Sequence, residues 1–85
     1  MKLCLDGVRL DTTKATHHWA LRLDDSRGDI YLSRQGHWYV CSPTPWANLH
    51  RWMILGPEEI IDRYAAYLSD AQKTAIAEVG GLTFA

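Results

Sequence analysis

The chain has 85 residues, of which 47% are hydrophobic and 11% aromatic, and this composition excludes an intrinsically disordered protein. The length predicts a single domain spanning residues 1–85, because two halves of this size could not each bury a sufficient core. The formal charge of -1 and the pI near 6.4 exclude the strong basic field typical of nucleic-acid-binding domains.

Charge and cysteine usage narrow the class of protein further. Residues 1–56 hold seven Lys/Arg and five Asp/Glu, whereas residues 57–85 hold two and five, a split that either solvated faces or a partner would explain. The opening "MKLCLDG" does not read as a signal peptide, so we expect a cytoplasmic protein, in a host cell if phage-encoded, with free Cys4 and Cys41. No apolar run approaches the roughly 18 residues of a membrane span, and we expect no membrane association.

The first predicted element is a hairpin. The segment "KLCLDGVRL" alternates apolar and polar residues around Asp6-Gly7, a common two-residue turn between antiparallel strands. Asp11 then caps a brief helical turn through "TTKA", where its carboxylate can accept from the free amide of Thr13 or Lys14. Structure alone therefore accounts for this opening stretch.

The next segment, "THHWALRL", has two interpretations. Its alternation is typical of a half-buried strand, whereas a helix continuing from Asp11 to about Ala20 also fits a 3.6-residue period. We predict a helix first and a strand after it, and a loop for "DDSRGD".

The clearest hairpin lies in "DIYLSRQGHWYVCS". Two strands, Ile30 to Arg34 and His37 to Cys41, flank Gln35-Gly36. Prolines without amide donors make "SPTPWAN" a loop or an edge. The segment "HRWMIL" is a further strand, either buried on both faces or leading from the core into a helix.

Two helices are predicted to close the chain. Gly56 and Pro57 begin the first, whose apolar stripe should face the sheet, and Ser69 and Gln72 form a capping box that begins the second. The second helix ends at Gly80-Gly81. The apolar stripe consists of Ile60, Ile61, Tyr64 and Leu68. The predicted fold is therefore α+β, an antiparallel sheet of four or five strands with one or two C-terminal helices packed on one face.

Residues with reactive side chains are not spaced as a catalytic or metal site requires. His17 and His18 would point to opposite faces of a strand, and His37 and Cys41 would lie roughly 13 Å apart at about 3.3 Å per residue. A nucleophilic Cys41 would need a neighbouring base and an oxyanion site, and a place at the end of a core strand explains it better. We expect no catalytic residue, no metal and no cofactor.

Arginines interleaved with aromatic residues suggest one binding function. A sheet face of this composition could stack nucleic-acid bases, although arginines that keep strand edges soluble explain the pattern equally well, and the overall charge argues against it. The residues of this alternative are Arg22, Arg34, Arg51, Trp38 and Tyr39.

Trp46 suggests another binding function. Two prolines stiffen its segment, "SPTPWAN", and so lower the entropy cost of presenting an interface anchor; the alternative is that Trp46 folds over the sheet edge and seals the core. Tyr67 lies off the apolar stripe and is a second candidate contact.

Three blocks of the chain resemble small proteins of phages and other mobile elements. "DGVRLDTTKA" resembles their G-K-x-Y-D-T-x-x-A opening, with Leu10 in place of Tyr, "IYLSRQGHWYV" looks like their L-Y-x-x-x-x-G-x-Y-F-L hairpin, and "GPEEIIDRYAAYL" is similar to their L-T-x-E-E-A-x-x-W-L helix. The resemblance covers about half of the chain in the same order. It implies a role in host interaction, because some proteins of this kind inhibit CRISPR effectors.

The sequence thus predicts a non-enzymatic protein that binds a bacterial host complex, most concretely an inhibitor that occludes a Cas subunit. A small nucleic-acid-associated regulator is the alternative, and a free sheet edge could also pair two copies into a homodimer. The expected partner-binding residues are Trp46, Arg51, Arg27, Arg34 and Tyr67.

Overall fold

The structure is a computed structural model that describes residues 1–24, 26–44 and 50–82. In this part of the chain, strands β3, β4, β5 and β6 form a four-stranded antiparallel sheet in that order, and β1 and β2 form a separate two-stranded hairpin. The predicted α+β fold is confirmed. The elements are β1 (Lys2–Leu5), β2 (Val8–Asp11), β3 (His17–Leu23), β4 (Ser26–Leu32), β5 (Trp38–Pro43), β6 (His50–Ile54), α1 (Pro57–Arg63) and α2 (Asp70–Val79).

The first hairpin forms as predicted. Asp6 and Gly7 have φ values of 49° and 79°, the left-handed conformation that a tight hairpin turn requires at both central positions. Asp11 then caps a single 3-10 turn, Thr12–Lys14. The helix predicted to continue toward Ala20 is wrong: only the 3-10 turn forms, and the alternation in "THHWALRL" belongs to β3 from His17 onward.

The two β hairpins that follow differ from the prediction in their extent. The loop predicted for "DDSRGD" is wrong, because β4 begins at Ser26, which pairs with Leu23 of β3; Asp25 lies outside the described residues. Strand β5 runs on to Pro43, which is tolerated there because the pairing of β5 with β4 ends at Cys41.

The edge strand and the helices follow the sequence signals closely. Strand β6 is an edge strand of partly exposed residues rather than one buried on both faces, and it leads into α1. Gly56 caps α1 with Pro57 in its first turn, and the capping box of Ser69 and Gln72 begins α2. Helix α2 ends at Val79, just before the two glycines.

One face of the four-stranded sheet, which we call the helix face, packs against α1 and α2. All four residues of the predicted apolar stripe are buried there, and Trp19 stacks on Trp38 with ring centroids 5.5 Å apart. The core consists of Leu21, Ile30, Leu32, Trp38, Val40, Ile60, Ile61, Tyr64, Leu68, Ile76 and Ala77.

The opposite face of the sheet, which we call the hairpin face, lies under the first hairpin along part of its width. Tyr39 is fully buried although it lies on this face, Leu10 of the hairpin is 4% exposed, and neither belongs to the core around the helices. Strand β1 contacts β6, and the charge of Asp11 acts on the Tyr39 phenol. The hairpin therefore covers the β5 and β6 side of this face.

Helix α2 also reaches the far edge of the sheet. The side-chain amide of Gln72, besides completing the capping box, donates a hydrogen bond of 2.9 Å to the Ala20 carbonyl of edge strand β3. This bond joins the last helix to the first strand of the sheet. No helix among residues 1–24, 26–44 and 50–82 has the length and apolar character that crossing a membrane requires.

Candidate functional site: a cationic groove beside the first hairpin

A groove of about 610 Å³ lies between the first hairpin and the turn that joins β4 to β5. Leu3, Cys4, Leu10 and Asp11 of the hairpin line it, together with Ser33 and Gln35 of the turn. Four exposed cationic side chains complete the lining: Lys2, Arg9, Lys14 and Arg34. We call this feature the cationic groove.

The hairpin register explains why cations and apolar residues separate in this groove. Lys2 pairs with Asp11 and Cys4 pairs with Arg9, so that these four side chains share one face of the hairpin. Leu3 and its neighbours on the other face are more buried, because that face turns toward the sheet. The alternation along β1 and β2 thus places the charged side chains on the exposed side of the hairpin and the leucines on the side toward the sheet.

The turn from β4 to β5 holds Arg34 in place. The backbone amide of Ser33 donates to the His37 carbonyl at 2.9 Å, and the Ser33 hydroxyl accepts from the His37 amide at 3.0 Å. Gly36, with φ of 86°, donates its amide to the Ser33 carbonyl at 3.0 Å. These bonds fix the backbone around Arg34, whose exposed side chain lines the groove.

The single acidic residue of the groove is already engaged. The Asp11 carboxylate accepts hydrogen bonds from the Thr13 hydroxyl at 2.7 Å and from the Thr13 amide at 3.0 Å, and these bonds lower the pKa of Asp11. In contrast, the four cations of the groove form no ion pair within the described part of the chain. The groove therefore has an unneutralised positive charge in a molecule whose net charge is negative.

A second polar cluster lies on the uncovered part of the hairpin face, and we call it the His18 cluster. His18 Nε2 lies 2.7 Å from Asp29 Oδ1, and Arg27 contacts the same carboxylate oxygen at 3.5 Å. The His18 ring stacks on Tyr31 with centroids 4.6 Å apart. His18, Arg27, Asp29 and Tyr31 thus form a cross-strand network between β3 and β4.

The interior of the hairpin face does not favour covalent chemistry. Burial, followed by the charge of Asp29, raises the pKa of the Cys41 thiol, which disfavours the reactive thiolate. Burial also raises the pKa values of Tyr31 and Tyr39. The hydroxyl of Tyr39 is buried and has no hydrogen-bond partner among the described residues.

His17 and His18 lie on opposite faces as predicted, and no three His, Cys, Asp or Glu side chains converge in the described ranges.

The predicted partner-binding residues do not share one surface. Arg27 lies near the start of β4 and Arg34 just past its end, which separates them by roughly 20 Å along the strand direction. Arg51 is exposed on edge strand β6, and Tyr67 is 39% exposed between the helices. Trp46 lies outside the described residues. Of the four described members of this set, only Arg34 lines the cationic groove.

The base-stacking surface expected from Trp38 and Tyr39 is not formed. Trp38 is 7% exposed on the helix face, and Tyr39 is fully buried on the hairpin face. Adjacent residues of a strand point to opposite faces, so the two rings could not have shared one. Both belong instead to aromatic ladders that cross the sheet: Trp38 stacks on Trp19 and Tyr39 stacks on Tyr31.

Lys2, Arg9 and Lys14 line the groove but are not among the partner-binding residues that the sequence predicts. The alternation of Lys2, Cys4, Arg9 and Asp11 around the Asp6-Gly7 turn already indicates that they share a face. Their approach to Arg34 comes only from the tertiary fold.

Comparison of the chain with protein-family models, with curated proteins and with solved structures gives no match. The resemblance to phage and mobile-element proteins therefore stays a prediction. The function proposed below is supported by the chemistry of the surfaces just described.

Proposed function

We propose that the protein is a non-enzymatic binding module of a phage or mobile element that engages a bacterial host protein complex. Most concretely, it acts in the host cytoplasm as an inhibitor that occludes a Cas effector subunit. The cationic groove is the observation that carries this proposal, because its unpaired charges lie on a fixed backbone and are available to a partner.

Charge complementarity supports such a role in physical terms. Fixed, exposed charges steer encounter with a surface of opposite sign and select against partners of the same sign. Arg9 and Arg34 approach the groove from different elements and are both long enough to reach a bound surface. A small protein with such a groove can cover a functional surface on a larger complex without any chemistry of its own.

The test is inhibition of purified effectors. A panel of CRISPR effector complexes is assayed for target DNA cleavage with increasing amounts of the protein. We expect one effector class to lose activity, and the variant Arg9→Glu/Arg34→Glu to restore it. Arg22→Glu is a matched control, because it makes the same kind of charge change on β3, away from the groove.

A negative result is equally specific. If no effector in the panel is inhibited and no Cas subunit co-purifies with the tagged protein, the inhibitor proposal is wrong. If inhibition survives Arg9→Glu/Arg34→Glu but is lost with Arg22→Glu, the contact surface is the hairpin face and the groove has no part in it.

A second candidate function is nucleic-acid association through the His18 cluster. The stacked rings of His18 and Tyr31 lie near Arg22 and Arg27, a combination of cation and aromatic ring that can contact bases and phosphates. A mobility shift that weakens steeply with salt and is lost with His18→Ala would support it. Absence of any shift at low salt would remove it.

Homodimerisation through the edge of β3 also stays a prediction. A second copy pairing there would have to accommodate the hydrogen bond from Gln72 to the Ala20 carbonyl. Sedimentation of the wild type beside Gln72→Ala tests it, since an edge dimer should form more readily in the variant.

A further inference from the structure

We infer that the cationic groove binds an extended acidic segment of a partner polypeptide, with carboxylates on alternate residues. This inference rests on the proposed binding function and names the chemistry of the partner at the same site. It follows from the charge, the spacing and the lining of the groove.

Charge comes first. Four of the nine Lys and Arg residues of the chain line this one groove, and Asp11, its only acid among the described residues, is held by Thr13. The helical part of the chain has the opposite balance, since residues 57–85 hold five acidic residues and two basic ones. Nearly half of the positive side chains are thus concentrated at this groove, where a ligand of negative charge would be attracted.

Spacing points to an extended chain rather than to a single small anion. Lys2 and Arg9 are diagonal neighbours across the hairpin, because Lys2 pairs with Asp11 and Arg9 with Cys4. Diagonal neighbours on one face of a hairpin lie roughly 7 Å apart, which is close to the distance between residues i and i+2 of an extended peptide. Successive carboxylates of such a peptide can therefore each meet one cation.

The lining favours a peptide over a nucleic acid. Among the residues that the structure describes, no aromatic ring lines the groove, whereas single-strand nucleic-acid sites combine cations with aromatic rings on which bases stack. The aliphatic residues that line it, Leu3 and Leu10, lie on the side of the hairpin that turns toward the sheet. The volume of about 610 Å³ is sufficient for a few residues of an extended peptide.

The direct test is fluorescence anisotropy with the full chain and a labelled peptide of alternating Glu and Leu. We expect saturable binding that weakens with added salt and that falls at least about tenfold with Arg9→Glu. Lys73→Glu on α2, which makes the same charge change away from the groove, is the matched control and should bind as the wild type does. An unlabelled peptide of alternating Gln and Leu should not compete, and thermal melting verifies that each variant is folded.

Cys4 provides a second readout at the site itself. Its thiol is exposed and lines the groove, whereas Cys41 is buried. Peptide bound in the groove should slow the alkylation of Cys4 by N-ethylmaleimide, and should do so less in Arg9→Glu. Peptide binding that leaves the rate at Cys4 unchanged would place the peptide elsewhere and overturn the inference.

Other occupants give different results. An oligothymidylate that binds more tightly than the Glu-Leu peptide and is lost with Arg9→Glu would assign the groove to nucleic acid. If inorganic phosphate displaces the peptide at the same concentration of negative charge, the groove is a site for small anions. Protection of Cys4 that rises with protein concentration alone would identify a second copy as the occupant. Each of these overturns the acidic-peptide inference.

The inference and the proposed function fail separately. Inhibition of an effector without peptide binding keeps the function and removes the acidic-peptide occupant. Peptide binding that protects Cys4, without inhibition of any effector, supports the occupant and removes the inhibitor role.

Discussion

The two faces of the four-stranded sheet differ in how completely they are covered. On the helix face, Leu21, Ile30 and Val40 have no exposed surface, and two helices close over them. On the hairpin face, Tyr39 is buried while the neighbouring cluster around His18 stays open to solvent. The helix face therefore holds most of the buried apolar core. The partial cover on the hairpin face leaves polar groups and a groove accessible to a ligand.

The largest expected effect tests the helix face. Ile60→Ala removes a fully buried side chain from the core between α1 and the sheet, and we expect a loss of about 3 kcal/mol in the free energy of unfolding, measured in urea. The matched change under the hairpin, Leu10→Ala, should lose less, about 2 kcal/mol, because an isolated hairpin adds little stability. An equal or larger loss at Leu10 would show that both faces contribute alike.

Gly28 tests the junction between β4 and the end of β5. A Cβ atom at this position would lie 2.6 Å from the backbone carbonyl oxygen of Cys41, so the two strands would have to separate. We expect Gly28→Ala to lower the free energy of unfolding by about 2 kcal/mol. A urea midpoint equal to that of the wild type would mean that β4 and β5 separate at this end of the sheet with little loss of stability.

One substitution on the hairpin face is expected to raise the free energy of unfolding. Tyr39→Phe removes a buried hydroxyl that has no hydrogen-bond partner among the described residues, so the variant avoids its desolvation cost. We expect a gain of about 1 kcal/mol in the free energy of unfolding and a higher melting temperature. A lower melting temperature would reveal that the hydroxyl has a partner.

The smallest effect concerns pH at the rim of the groove. Hydrogen bonds from Thr13 lower the pKa of Asp11 from its ordinary value of 3.8, so the ionised carboxylate is favoured in the folded state. The contribution of this carboxylate to the free energy of unfolding is present above pH 3.8. It is lost as the pH falls through the lowered pKa of Asp11. Thr13→Val, which removes the hydroxyl bond, should be less stable than the wild type at neutral pH, and urea midpoints should converge in acid. A difference independent of pH would assign the loss to packing.

Local features were predictable from the sequence. The Asp6-Gly7 turn, the Asp11 cap and the capping box of Ser69 and Gln72 depend on residues at most three positions apart, and all of them form. The apolar stripe of the closing helices was also found, because its period identifies the buried side.

Features that depend on distant partners were not predictable in the same way. The polar start of β4 resembles a loop, yet Asp29 there binds His18, eleven residues earlier in the chain. The cationic groove needs Arg34 from a turn to meet Arg9 from the first hairpin, and no periodicity in either segment indicates that contact. The shared face expected for Trp38 and Tyr39 is an error of another kind, because the alternation of a strand already predicts that adjacent residues point to opposite faces.

The hydrogen bond from Gln72 to Ala20 has a consequence for the order of synthesis. An emerging chain completes β3 about fifty residues before Gln72, so the edge of the sheet exists in the nascent protein without its final cover. A chain that ends before α2 would keep that edge available to other strands and would be prone to aggregate. The last helix therefore occupies one backbone acceptor of this edge, and an unfinished chain lacks that bond.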